Sequence, residues 1–152
     1  MKISVRTWAK NKNSVSVDYG PLSFALKIDE RWEKYGKSSP LQEWEVFAAT
    51  SWNYGLILDA RDPARSFRMI RRTGPLAAQP FTPQSVPIAL QGKARRIADW
   101  QMDTRTGIVG ILPQSPVGSS GPIEEITLIP MGAARLRISS FPTIAASASV
   151  RK

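Results

Sequence analysis

The 152-residue sequence has neither cysteine nor histidine. Without cysteine there are no disulfides and no thiolate nucleophiles. Without histidine there are no imidazole bases and no Ser-His-Asp triads, and without either there are no zinc sites built from those ligands. Chemistry is left to carboxylates, Lys, Tyr, Ser and Thr. No run of ~18 apolar residues could cross a bilayer as a helix, so no membrane partner is expected. The opening residues MKISVRTWAKNKN hold no apolar core of a signal peptide. Glycine loops that cradle phosphates are missing as well, since 107–110 and 118–121 carry turn glycines in a β context with no helix to follow. No cofactor and no metal are expected.

What is present is a globular composition, 42% apolar and 22% charged. The length suits one domain over 1–144, followed by a short tail, 145–152, of small unpatterned residues expected to fray. The dominant period is two. Leu22, Phe24, Leu26 and Ile28 alternate with Ser23, Ala25 and Lys27; Val15, Val17 and Tyr19 alternate with Ser14, Ser16 and Asp18. Ile126 and Leu128, then Leu136 and Ile138, repeat the pattern. Alternate side chains of a strand point to opposite faces, so each segment buries one face. Further strands are expected over 3–8, 43–49, 54–59, 66–71, 88–97, 100–103 and 108–112. The prediction is an all-β fold, an antiparallel, jelly-roll-like β-sandwich of about ten short strands with little helix. Gly20-Pro21 reads as a tight turn, and Pro130 with Gly132 as the break in a closing hairpin. One helical turn or two is allowed over 29–35. The Pro-rich connection 73–87 reads as a surface crossover between two sheets.

Three groups of residues could carry function. Glu43 and Glu45 share one face of a strand, whereas Glu124 and Glu125 point to opposite faces, and Asp59 and Asp62 flank a turn. Glycoside hydrolysis needs two carboxylates facing a shared space, but alternation with apolar neighbours explains the first pair as a solvated face. Tryptophans are numerous, five in all, with three tyrosines. Trp52, Asn53 and Tyr54, with Trp32, are the candidates for a sugar-stacking site or a domain interface, because flat rings stack on sugars while amide groups bond hydroxyls. Trp44, between two glutamates, is assigned to the core. The arginines of 61–72 alternate across both faces of a strand and form no phosphate-binding stripe. Binding of nucleic acid or acidic polysaccharide through the net charge of +9 is therefore the last-ranked expectation, and nucleic acid is not an expected partner.

Four blocks, in order, resemble the segment that follows the catalytic barrel in bacterial glycoside hydrolases of the β-L-arabinofuranosidase type. They are Trp8 to Leu22 (WAKNKNSVSVDYGPL), Trp52 to Leu56 (WNYGL), Pro87 to Trp100 and Ile126 to Ile138 (ITLIPMGAARLRI). Tyr19 stands where that family commonly has Arg. The resemblance spans roughly Val5 to Ile144 and implies the C-terminal β-sandwich module alone. The family's catalytic residues and Cys-rich zinc site belong to an α/α toroid that these residues do not include, so no catalytic residue is carried over. The implied role is a non-catalytic accessory domain that packs on a catalytic toroid, as a domain or a partner chain, and stabilises it. The alternative is an independent carbohydrate-binding module that takes oligosaccharide on exposed aromatics.

Overall fold

Period-two sequence becomes strand wherever one face can be buried, and in the computed structural model, which describes residues 1–36 and 41–145, nine strands form. They are β1 (Ile3–Trp8), β2 (Ser14–Tyr19), β3 (Leu22–Leu26), β4 (Glu30–Tyr35), β5 (Glu43–Ala48), β6 (Tyr54–Leu56), β7 (Arg68–Arg71), β8 (Ile88–Arg96) and β9 (Glu124–Pro130). Helix among the described residues is limited to short 3-10 turns at Pro63–Ser66 and Met131–Ala133, and no helix is long and apolar enough to cross a membrane. Every ladder between these strands is antiparallel, and two isolated bridges, Leu56 with Thr143 and Val117 with Ile144, are parallel. The chain is all-β, as expected.

Seven strands make one curled sheet in the order β1-β2-β3-β9-β8-β6, with β7 also on β8. β8 holds two neighbours along one edge, β7 against Ile88 to Gln91 and β6 against Ala94 to Arg96. The inner face carries the main core. Phe24, Leu26, Leu56, Leu90, Leu128 and Phe141 are fully buried there. Cross-strand rungs keep the apolar set together, with Leu90 and Leu26 each opposite Leu128. The segment 141–144 seals the curl. Val15 and Phe141 exchange two backbone bonds of 2.8 Å each, and the Leu56 N–H donates to the Pro142 carbonyl at 2.8 Å. A smaller cluster of Ala25, Ile129, Ala133 and Ala134 covers part of the outer face.

Turn chemistry agrees with the sequence at β2–β3. Tyr19 opposes Leu22, so Gly20 and Pro21 alone make the turn. Gly20 has φ +57°, which a side chain would resist, and Pro21 then fixes a negative φ, the order of a type II′ turn.

Four expectations are corrected. Residues 29–35 form no helical turn: Glu30–Tyr35 is strand β4, laddered over six rungs to β5. Its helix-favouring Glu, Arg and Lys are overridden by cross-strand pairs of Trp32 with Val46 and Arg31 with Phe47. The connection 73–87 does not cross between sheets. It joins the adjacent antiparallel strands β7 and β8, and the Arg72 N–H bonds the Pro87 carbonyl at 2.9 Å across its mouth. Segments 100–103 and 108–112 meet in a single bridge, Met102 with Val109. Leu136 and Ile138 form no ladder with β9: after the Met131–Ala133 turn the chain crosses to β3, where the Leu26 N–H donates to the Ile138 carbonyl at 2.8 Å. Of the tail, 146–152 lies outside the described residues; the Ala145 N–H bonds the Val117 carbonyl.

Candidate functional site

The Trp52-Asn53-Tyr54 segment leads into β6 and is engaged along its whole length. The Asn53 side-chain amide donates to the Ile97 carbonyl at 2.9 Å, and the Ile97 N–H returns a bond to the Asn53 carbonyl at 2.8 Å. Trp52 is half-buried against the core, its ring edge-to-face with Trp100 at 5.2 Å between centroids. Trp100 is itself buried, and its indole N–H donates to the Gly110 carbonyl at 3.2 Å.

Tyr54 is buried on the inner face and donates its hydroxyl to Glu124 Oε2 at 2.7 Å. Glu124 Oε1 accepts from Arg96 Nε at 3.0 Å. Burial, then the bond to Glu124, pushes the Tyr54 phenol above its ordinary value. The Tyr54 hydroxyl, then Arg96, holds the Glu124 carboxyl below the usual range. Both shifts move away from neutral pH, so the trio carries a fixed charge and ties β6, β8 and β9 together. Glu125, next along β9, lines an open hollow of about 200 Å³ together with Lys27, Asp29, Thr50, Ser51 and Tyr54. A second open hollow of about 500 Å³ lies between Lys2, Ile3 and Ser4 and the Asp62 to Arg65 turn. Among the described residues no three His, Cys, Asp or Glu side chains are placed to hold a metal ion.

Trp32 sits elsewhere, on the two-stranded ribbon β4–β5, which pairs with no other strand. No hydrogen bond or ring contact links it to the Trp52 to Tyr54 segment. The ribbon is fastened at its base: the Ala49 N–H donates to the Asp29 carbonyl at 2.7 Å and the Asp29 N–H to Thr50 Oγ1 at 3.0 Å. Strand alternation sorts its side chains. One face carries Glu30, Trp32 and Lys34 beside Trp44, Val46 and Ala48; the other carries Arg31, Glu33 and Tyr35 beside Glu43, Glu45 and Phe47. Trp32 and Trp44 are 44% and 48% exposed and meet edge-to-face at 6.3 Å. Tyr35, at 56% exposed, is on the opposite face. Arg135 lies over Trp32 at 5.0 Å and bonds Glu30 at 3.3 Å, while the Trp32 indole N–H donates to the same carboxylate at 3.1 Å. Lys34 Nζ stands 5.9 Å from the Trp44 ring. On the far face Arg31 covers Phe47 at 4.9 Å and pairs with Glu33.

The assignment of Trp44 to the core is therefore overturned. Alternation with Glu43 and Glu45 implies a dry face only when something packs on it, and on this face the core meets Ala48 at the base and not Trp44. Trp44, Lys34, Tyr35 and Arg135 were missed as surface candidates. The signal was present in 30–35, where six residues alternate with no apolar set large enough for a core face. Glu43 and Glu45 do share a face of β5, with Glu33 opposite Glu45. The arginines of 61–72 scatter: Arg65 pairs with Asp62, Arg68 with Gln91, Arg71 with the Tyr19 hydroxyl at 3.0 Å, and Arg72 with the Gln84 carbonyl at 2.9 Å. No family model matches the chain, and neither the curated proteins nor the solved structures contain a match to it.

Proposed function

We infer that the chain serves as a non-catalytic β-module of a carbohydrate-active enzyme, packed on a catalytic body and extending the β4–β5 ribbon as an arm. One observation carries this reading: the ribbon holds aromatic side chains on both faces, outside the main sheet, where two strands alone are marginal in water. An arm of this kind gains its stability against a partner. The face with Tyr35 and Phe47 suits packing on the catalytic body, leaving the two tryptophans open. The four sequence blocks that resemble the β-module of β-L-arabinofuranosidase-type hydrolases supply the partner's class, an α/α toroid.

The test is co-expression of the full chain with a toroid catalytic body of that class from the same genome, read by size-exclusion chromatography and thermal melting. Joint elution and a raised Tm of the toroid are expected, weakened by Tyr35→Ser. Separate elution with an unchanged Tm refutes the reading. Oligosaccharide binding without any toroid association would favour an independent carbohydrate-binding module.

A further inference from the structure

We propose that the tryptophan face of the β4–β5 ribbon binds a uronate-bearing polysaccharide strand, with Trp32 and Trp44 as ring platforms and Lys34 and Arg135 as carboxylate partners. The inference rests on the preceding reading of the ribbon as an arm that leaves its two tryptophans open, and names what they take.

The argument is the sorting of charge between the two faces. Alternation places both tryptophans with Lys34 on one face, and Arg135 reaches over from the main body to cover Trp32. Among the described residues of the ribbon, the only carboxylate on that face, Glu30, accepts bonds from Arg135 and from the Trp32 indole. Glu33, Glu43 and Glu45 all point the other way. The result is a strip ordered cation, ring, ring, cation: Arg135, Trp32, Trp44, Lys34. Among the described residues Lys34 has no ion-pair partner, and its ammonium lies beside the Trp44 ring.

A pyranose ring is apolar on its C–H face and polar at its rim. The C–H face suits the electron-rich face of indole, and the T-shaped pair offers two such faces in different planes, as successive sugars of a twisted strand present them. A neutral sugar would use the rings alone. A uronate also places a carboxylate at the ring edge, where Lys34 supplies a charge-assisted bond and Arg135, whose charge Glu30 partly offsets, adds a second cation. Nucleic acid fits less well. It asks for a basic groove that follows many phosphates, whereas here two cations stand on a ribbon whose reverse side carries three carboxylates. A protein partner on this face would have to bury the Lys34 ammonium against a surface that supplies a carboxylate.

The test uses the full chain and calorimetry with oligogalacturonate, its methyl-esterified form, a neutral arabino-oligosaccharide and a single-stranded oligonucleotide. Oligogalacturonate should bind, more weakly as salt is raised, and esterification should weaken it roughly tenfold, the size of one charge-assisted bond. Lys34→Gln should cost about three- to tenfold at this wet site. Trp44→Ala should abolish binding. Lys34→Gln, on an exposed side chain, keeps the test decisive if Trp44→Ala unfolds the ribbon. Absence of binding, equal binding of the esterified form, or tighter binding of the oligonucleotide each overturns the proposal. Joint elution with a toroid is read separately, so loss of sugar binding with association intact sinks this inference alone.

Discussion

The curled sheet buries its inner face and, at Ala25 and Ile129, part of its outer one; the β4–β5 ribbon has no fully buried residue on either face. The strand rules are the same in both. What differs is closure: β1 to β3 and β6 to β9 wrap a shared core that 141–144 seals, whereas β4 and β5 ladder only to each other and touch the main body at Ala48 and through Arg135. In the sheet, aromatic and ionic groups hold strands together, as Tyr54, Glu124 and Arg96 do. On the ribbon they remain available to a ligand. Burial by a closed surface is thus what separates a structural tryptophan such as Trp100 from an exposed one such as Trp44.

The largest difference should appear on truncating the core. Phe24→Ala removes a fully buried ring of β3, the strand between β2 and β9, and should cost about 3–5 kcal/mol in chemical denaturation, whereas Trp44→Ala should cost under about 1 kcal/mol. Comparable losses from the two would mean that ribbon and sheet unfold as one unit, and the contrast drawn above would fail. Gly92→Ala comes next. A Cβ at Gly92 would stand 2.8 Å from the Phe67 ring, so the substitution overpacks the inner face and should cost about 1–3 kcal/mol.

How much of this was readable beforehand follows from the same contrast. The sheet strands were legible because alternation and burial coincide: Val15, Val17, Phe24, Leu26 and Leu128 all lie where period two puts them. In the ribbon, 43–49 is legible as a strand and forms β5, but the sequence allows a helical turn over 29–35 and puts Trp44 in the core, because alternation says which residues share a face and not whether that face is covered. Pairing between distant segments was the missing information. Of the candidate residues, Trp32 proved exposed, while Asn53 and Tyr54 are tied to Ile97 and Glu124, partners 44 and 70 residues away that no local pattern reveals.

Those ties give a third prediction, on pH. The folded-state Glu124 carboxyl titrates below its unfolded value, so it adds stability above the ordinary carboxylate pKa and loses it as pH falls through the lowered one. Tyr54 is shifted up, so its share is full below pH ~10 and fades as pH rises through the raised phenol value. Tyr54→Phe should cost about 1 kcal/mol at neutral pH and flatten both arms of the stability curve. An unchanged acid arm would mean that Arg96 alone holds Glu124.

The smallest effect lies on the ribbon itself. Glu33 and Glu45 face each other directly across β4 and β5, and like charges so placed repel, although Arg31 beside Glu33 relieves part of this. Glu45→Lys turns the rung into an opposite-charge pair and should stabilise the ribbon by about 0.2–1 kcal/mol. Since the ribbon pairs with no strand of the sheet, the gain belongs in slower hydrogen exchange of its own laddered amides, such as Arg31 and Phe47, with the global unfolding midpoint unmoved. A shift of the midpoint by the full amount would instead couple the arm to the core. It would then no longer be a surface element free to close on a ligand, but a part of the fold that happens to be wet.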